Sequence, residues 1–146
     1  MITNSDAESK TAKIRYSAQR EMILDEIRSR RDHPSAAEVY MAVQKVKPTI
    51  SLGTVYRVLN KLAEDGEALR LPMPDGVDRY DGFAHAHQHA FCAECRRLLD
   101  VEVEIPLEEL VKFADQNKFV IEGLQICMVG KCKRCVKARK GKLWRN

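Results

Sequence analysis

No stretch of this 146-residue chain approaches the roughly 18 consecutive apolar residues of a membrane-spanning helix. No membrane segment is therefore expected. The opening residues, MITNSDAESK, lack the apolar centre of a secretory signal, which makes a cytoplasmic location the expectation. Internal repeats are absent too. Acidic side chains are missing from two places. One is residues 131–146, where Lys131, Lys133, Arg134, Lys137, Arg139, Lys140, Lys142 and Arg145 stand without a carboxylate. The other runs from Val39 to Ala63, which holds Lys45, Lys47, Arg57 and Lys61 alone. Residues 1–84 as a whole carry as many acidic as basic side chains, and a net charge of +4 is only weak support for nucleic-acid binding. Phosphate contacts need a basic face, not a basic whole protein. What remains, 45% hydrophobic and 32% charged, suits a soluble globular chain of one ordinary domain or two small ones.

The first half reads as short helices. Ser17 is placed to cap a helix bearing Met22, Ile23 and Ile27, with Arg28, Arg30 and Arg31 in its last turn. Ser35 followed by Glu38 forms a capping box, opening a helix that buries Val39, Tyr40, Val43 and Val46 before Pro48 stops it. Ser51 caps a third helix, with Val55, Val58, Leu59 and Leu62 on one face and Gly66 at its end. Its other face offers Thr54, Tyr56, Arg57, Asn60 and Lys61. Residues 67–71 and 77–80 then flank Pro72-Met73-Pro74-Asp75-Gly76 as strand, turn and strand. Three helices followed by a two-stranded wing is winged-helix order.

Residues 81–84 read as a hinge, after which strands are expected at 88–92 and 98–103. A helix follows with Pro106 at its first position and Leu107, Leu110, Val111 and Ala114 as a buried stripe. A last strand is expected over about 119–129. The fold class is thus α+β, with residues 1–82 as the winged helix-turn-helix, 83–86 as the hinge and 87–146 as a small α/β domain.

Four of the five cysteines form two pairs, Cys92-x-x-Cys95 and Cys132-x-x-Cys135. A reducing compartment disfavours a disulfide framework. Two intervening residues let a turn present both thiolates to one ion, and two such turns complete the closed shell of structural zinc. Local redox pairs or ordinary buried thiols are the alternative. A zinc enzyme is disfavoured because four thiolates leave no position for water, and the His-x-Glu of zinc deaminases is missing. Cys127 reads as a packed core thiol. Three of the four histidines lie in His85-Ala86-His87-Gln88-His89. On a strand His87 and His89 share a face, with Asp81 and Asp100 near in sequence. Solvated histidines are the alternative. A nitrogen and oxygen donor set suits iron or manganese, unlike the thiolate set.

Taken together, His33-Pro-Ser-Ala-Ala-Glu-Val-Tyr40, Ile50-Ser-Leu-Gly-Thr-Val-Tyr-Arg-Val-Leu-Asn60, Arg79-Tyr-Asp81, His87-x-His89-x-x-Cys92-x-x-Cys95 and Cys132-x-x-Cys135 resemble the ferric uptake regulator family. The resemblance runs from about Ile14 to Cys135. It implies a homodimeric winged-helix repressor that binds double-stranded DNA at a palindromic operator and is not an enzyme. The second half is then the dimerisation domain. Implied regulatory ligands for Fe2+ or Mn2+ are His33, Asp81, His87, His89 and Asp100, beside structural Zn2+ on Cys92, Cys95, Cys132 and Cys135. Aspartate at position 100, where iron and zinc regulators commonly have Glu, resembles the peroxide-sensing branch, in which His33 and His87 would be oxidised. Further His and Glu ligands of many relatives are missing near Gly123 and Leu124. Gly53 stands where relatives often have Ala. For DNA the resemblance points to Tyr56 and Arg57 on the Ser51 and Thr54 helix, with Lys10, Lys13, Arg15 and Arg70 as phosphate contacts. Competing readings are an iron- or zinc-responsive uptake regulator of the same family, a non-haem iron enzyme, and a zinc-stabilised module that never touches DNA.

Overall fold

A computed structural model describes residues 4–85, 87–104, 106–122 and 124–138, with side chains from Tyr16 onward. The chain divides into two compact units, Met1–His85 and Ala86–Asn146.

The first unit contains α1 (Asn4–Arg28), α2 (Ala36–Val46), α3 (Leu52–Glu64), β1 (Leu69–Leu71) and β2 (Arg79–Asp81). α1 starts far before Ser17, which lies exposed within it. Residues 4–16 contain no Gly or Pro, so nothing stops the helix from running back through them. Ile23 and Ile27 of α1, Val39 and Val43 of α2, and Val55, Val58, Leu59 and Leu62 of α3 form one buried core. Val46 departs from the expected stripe: it is 75% exposed at the frayed end of α2, and Tyr40 is only half-buried. Arg20 pins α1 to the end of α3 through Asp65 at 3.3 Å and through Glu67.

The wing is antiparallel, pairing Leu69 with Asp81 and Leu71 with Arg79. Gly76 supplies the positive φ of its turn (77°), and its N–H donates to the Met73 carbonyl at 2.9 Å. Tyr80 is buried beneath the wing, where its hydroxyl donates to Asn60 Oδ1 at 3.1 Å. Three helices and this hairpin make a winged helix-turn-helix.

The second unit contains β3 (Gln88–Cys92), β4 (Leu98–Val101), α4 (Leu107–Asn117), β5 (Cys127–Gly130) and α5 (Lys133–Ala138). β3 is central, antiparallel to β4 and parallel to β5. Four expectations change here. Residues 119–122 and 124–126 are not strand, so β5 is a short piece at the end of the apolar run. Pro106 is the cap preceding α4, not its first residue, and gives no side-chain hydrogen bond. The stripe on α4 is not buried within the chain: Leu107 is 65% and Val111 56% exposed. Among the described residues of this unit the buried hydrophobics are Phe91, Cys92 and Leu98. Cys127 is half-buried at the start of β5 rather than packed in a core.

The capping box on α2 is complete. Ser35 Oγ accepts from Glu38 N–H at 3.3 Å, and Ser35 N–H donates to Glu38 Oε2 at 2.7 Å. Ser35→Ala removes the first of these and is expected to destabilise the unit by about 1 kcal/mol. Thermal unfolding of wild type and variant checks this, with Tm expected to fall by about 4–8 °C for a domain of this size.

Candidate metal centres and the exposed face of helix α3

Both cysteine pairs sit where strands end. Cys92 closes β3, and the turn to β4 is held by Arg96 N–H to Cys92 O (2.8 Å) and Cys92 N–H to Arg97 O (2.9 Å). Arg96 takes a positive φ of 58° there. Cys132 follows β5, and Cys135 lies in α5. Parallel pairing of β3 with β5 places Cys92 opposite Gly130, which brings the two turns side by side. Ala93 N–H donates to Gly130 O at 2.8 Å, and Lys131 reaches Glu94 at 3.5 Å.

The sulfur geometry is that of a metal shell. Cys92 Sγ lies 3.8 Å from Cys135 Sγ, and Cys95 Sγ lies 3.8 Å from Cys132 Sγ. All four sulfurs lie within 4.8 Å of one another. A disulfide needs about 2.05 Å. Thiolates about 2.3 Å from a central zinc stand about 3.8 Å apart in a tetrahedron. Backbone amides of Cys95 and Cys132 lower the Cys92 thiol to about 6, with the Cys132 N–H 3.3 Å from its sulfur. Burial and the neighbouring sulfurs push Cys135 up to about 12. Four thiols this close cannot all ionise without a cation, which is the chemistry a zinc ion supplies.

The remaining ligand candidates fall into two sets. In the first unit His33 and Asp81 are both buried, with His33 Nε2 at 3.6 Å from Asp81 Oδ2. His33 lies in the left-handed region, φ 51°, a conformation that costs a non-glycine residue on the order of 1 kcal/mol. Asp81 Oδ1 accepts from Phe83 N–H at 2.9 Å, which orients the carboxylate. In the second unit His89 faces Asp100 across the β3–β4 pair. His87 Nε2 and His89 Nε2 lie 3.3 Å and 3.8 Å from the same Asp100 oxygen, and the two rings are 4.4 Å apart. Two imidazole nitrogens and a carboxylate oxygen converging on one point suit a divalent ion such as iron or manganese.

On α3 the cap is Ser51, whose Oγ accepts from Thr54 N–H at 3.1 Å and lies 2.9 Å from Thr54 Oγ1. Tyr56 is 46% exposed, and exposed Arg57 sits over the Tyr16 ring at 4.7 Å. Two residues expected on this face are occupied within the unit. Asn60 receives the Tyr80 hydroxyl, and Lys61 pairs with Asp65 at 2.9 Å. Arg70 in the wing is held by Asp78, Nε to Oδ2 at 2.6 Å. Lys10, Lys13 and Arg15 lie along α1, and their side chains are outside the described residues. From the sequence, Gly82 and Phe83 read only as part of a hinge; in the structure Gly82 is buried against α1, and the Phe83 ring carries the Arg31 guanidinium at 4.1 Å. Neither belongs to a ligand type, and only three-dimensional packing marks them.

The family model for the ferric uptake regulator family matches residues 11–129. The chain is 38% identical over 109 residues to the ferric uptake regulation protein of Bacillus subtilis, covering 71% of this chain and 72% of that one. To the peroxide-responsive repressor PerR of Staphylococcus aureus it is 30% identical over 135 residues, 92% of this chain and 90% of the relative. In three dimensions it is similar to the Campylobacter jejuni peroxide stress regulator, with a TM-score of 0.76 at 26% identity over 91% of this chain and all of that one. The chain belongs to the ferric uptake regulator family, and is a metal-responsive transcription regulator rather than an enzyme.

Proposed function

We propose that this chain is a cytoplasmic, homodimeric repressor that reads a palindromic operator when a divalent metal is bound and releases it on exposure to peroxide. The observation that carries this reading is the His87, His89 and Asp100 cluster. Its donors are nitrogen and oxygen, and its carboxylate is the short aspartate, facing His89 in register. Likeness to a peroxide-responsive repressor over 92% of the chain supports it.

In this reading His33 and Asp81 of the first unit join His87, His89 and Asp100 of the second around one ion. Metal that favours the conformation suited to DNA shifts the population toward it, and operator binding tightens metal binding in return. Residues 1–82 act as the DNA reader, 83–86 as the hinge and 87–146 as the dimerisation domain. Ser51 and Thr54 secure the start of α3, Tyr56 and Arg57 meet base edges in the major groove, and Lys13, Arg15 and Arg70 meet phosphates. Arg70 must exchange Asp78 for a phosphate to do so.

Ferrous iron held by His33, Asp81, His87, His89 and Asp100 would activate peroxide at the site, the two electrons taken up by the peroxide coming overall from the imidazole that is oxidised. His33 and His87 are the oxidation-sensitive groups: one peroxide oxygen ends on an imidazole carbon and the other leaves as water. A ring altered this way is a poorer ligand, and the operator is released. The cysteine set plays no part in this chemistry. Cys92, Cys95, Cys132 and Cys135 hold structural zinc and stabilise the second unit.

The apolar surface that the second unit leaves uncovered supports the dimer. Leu107, Val111 and Phe113 on α4, with Val120 and Val129 beyond it, are all more than half exposed, apolar surface that a second copy can cover. Val111→Asp is expected to yield monomers in light scattering and to abolish operator binding while leaving the zinc in place.

Two measurements test the metal roles. Zinc binds these sulfurs only as thiolates, so protons compete with it and its affinity falls as pH falls. Zinc is therefore expected to stay stoichiometric at neutral pH and to be released, with unfolding of the second unit, on acidification. For sensing, manganese- and iron-loaded proteins are treated with peroxide, then assayed by gel shift and peptide mass. Iron loading is expected to give loss of operator binding and an added oxygen on the His33 or His87 peptide, and manganese loading neither. Release of DNA from unmodified protein points instead to an iron- or zinc-responsive uptake regulator.

A further inference from the structure

Asp81 is followed by a glycine whose small size is needed. A β-carbon on Gly82 would lie 2.7 Å from Arg28 N and 2.8 Å from Arg28 Cα. Both are backbone atoms at the end of α1, so no change of rotamer makes room. The φ of Gly82 is not in the left-handed region, so closeness and not turn geometry demands the glycine.

Around this contact the segment 28–35 and the segment 79–83 run side by side. Ser35 bridges Arg79. Tyr80 N–H donates to Pro34 O at 2.9 Å. His33 faces Asp81 at 3.6 Å. Arg31 stacks on Phe83 at 4.1 Å. Arg28 abuts Gly82. His33 and Asp81, far apart in sequence, thus lie in the middle of a series of contacts whose tightest member is Gly82.

We propose that Gly82 is a positioning residue for the metal: its packing on Arg28 sets the separation of His33 from Asp81, with the Arg31–Phe83 stack as its support. This rests on the proposed role of His33 and Asp81 as ligands. Metal ligands tolerate misplacement of about 0.5 Å. A methyl at position 82 forces the exit of β2 away from α1, and Asp81 moves with it.

The test is manganese affinity of full-length, zinc-loaded protein, read by electron paramagnetic resonance well below the unfolding temperature. Circular dichroism and zinc content report the fold. Gly82→Ala is expected to weaken manganese binding about 10- to 100-fold with zinc retained, as supporting residues around metal ligands do. Phe83→Leu, which keeps the N–H to Asp81 but removes the ring, is expected to weaken it several-fold. Folded Gly82→Ala with wild-type affinity, alongside a His33→Ala variant that has lost it, overturns the positioning role alone. Unchanged affinity in both overturns the ligand assignment and the proposal with it. Should Gly82→Ala fail to fold, Phe83→Leu decides: folded protein of unaltered affinity overturns the proposal.

Discussion

Four sulfurs within 4.8 Å of one another are the constraint on which the second unit depends. Without a cation the site is frustrated, one thiol drawn down to about 6 and another pushed up to about 12. With a divalent cation all four can ionise, and the turn after β3 is tied to the turn after β5. The parallel pairing of β3 with β5 has no short connection to define it, since α4 and the segment after it intervene. Among the described residues, the buried hydrophobics Phe91, Cys92 and Leu98 are too few to hold such a sheet by apolar burial. Metal binding energy is folding energy here.

The first unit is built the other way. Its buried side chains come from all three helices, and its helices are capped by Ser35 and Ser51. It spends that stability at one place. His33 is buried in a left-handed conformation beside a buried carboxylate. Strain of this kind persists where surrounding contacts over-determine it, and the contacts from Arg28 to Ser35 do so.

Much of this was legible in the sequence because the chemistry restricts residue type and spacing together. Two Cys-x-x-Cys pairs have few uses in a reducing compartment, and a serine three residues before a glutamate announces a helix start. Reading failed where tertiary context overrides local pattern. Ser17 is as good a cap as Ser35 by type, yet α1 runs through it because nothing before it breaks a helix. The apolar run after α4 looked like one long strand, but only Cys127–Gly130 finds a partner in β3. Asn60 and Lys61 read as an exposed polar face and Arg70 as a phosphate contact; Tyr80 and Asp78 reach Asn60 and Arg70 only once the wing folds back, while Lys61 pairs with Asp65 one turn along at the end of α3. Gly82 read only as hinge, since a close approach between backbones leaves no mark on composition.

The division of ligands has a consequence for sensing. Under the proposed ligand set, three donors lie on or just before the sheet of the second unit, and two at and beside the end of the wing. The three alone form a usable but incomplete shell, so an ion can rest there without engaging the DNA reader. Engagement is the added contribution of His33 and Asp81, and that increment is the coupling between metal and operator. Couplings of this kind are typically about 1–3 kcal/mol, or about 5–150-fold in affinity. One damaged imidazole can therefore erase the whole of it. The thiolate zinc, which takes no part in the coupling, keeps the second unit folded while this happens. Under the proposed function, separating the two metals would let the signal be destructive at one centre without destroying the protein.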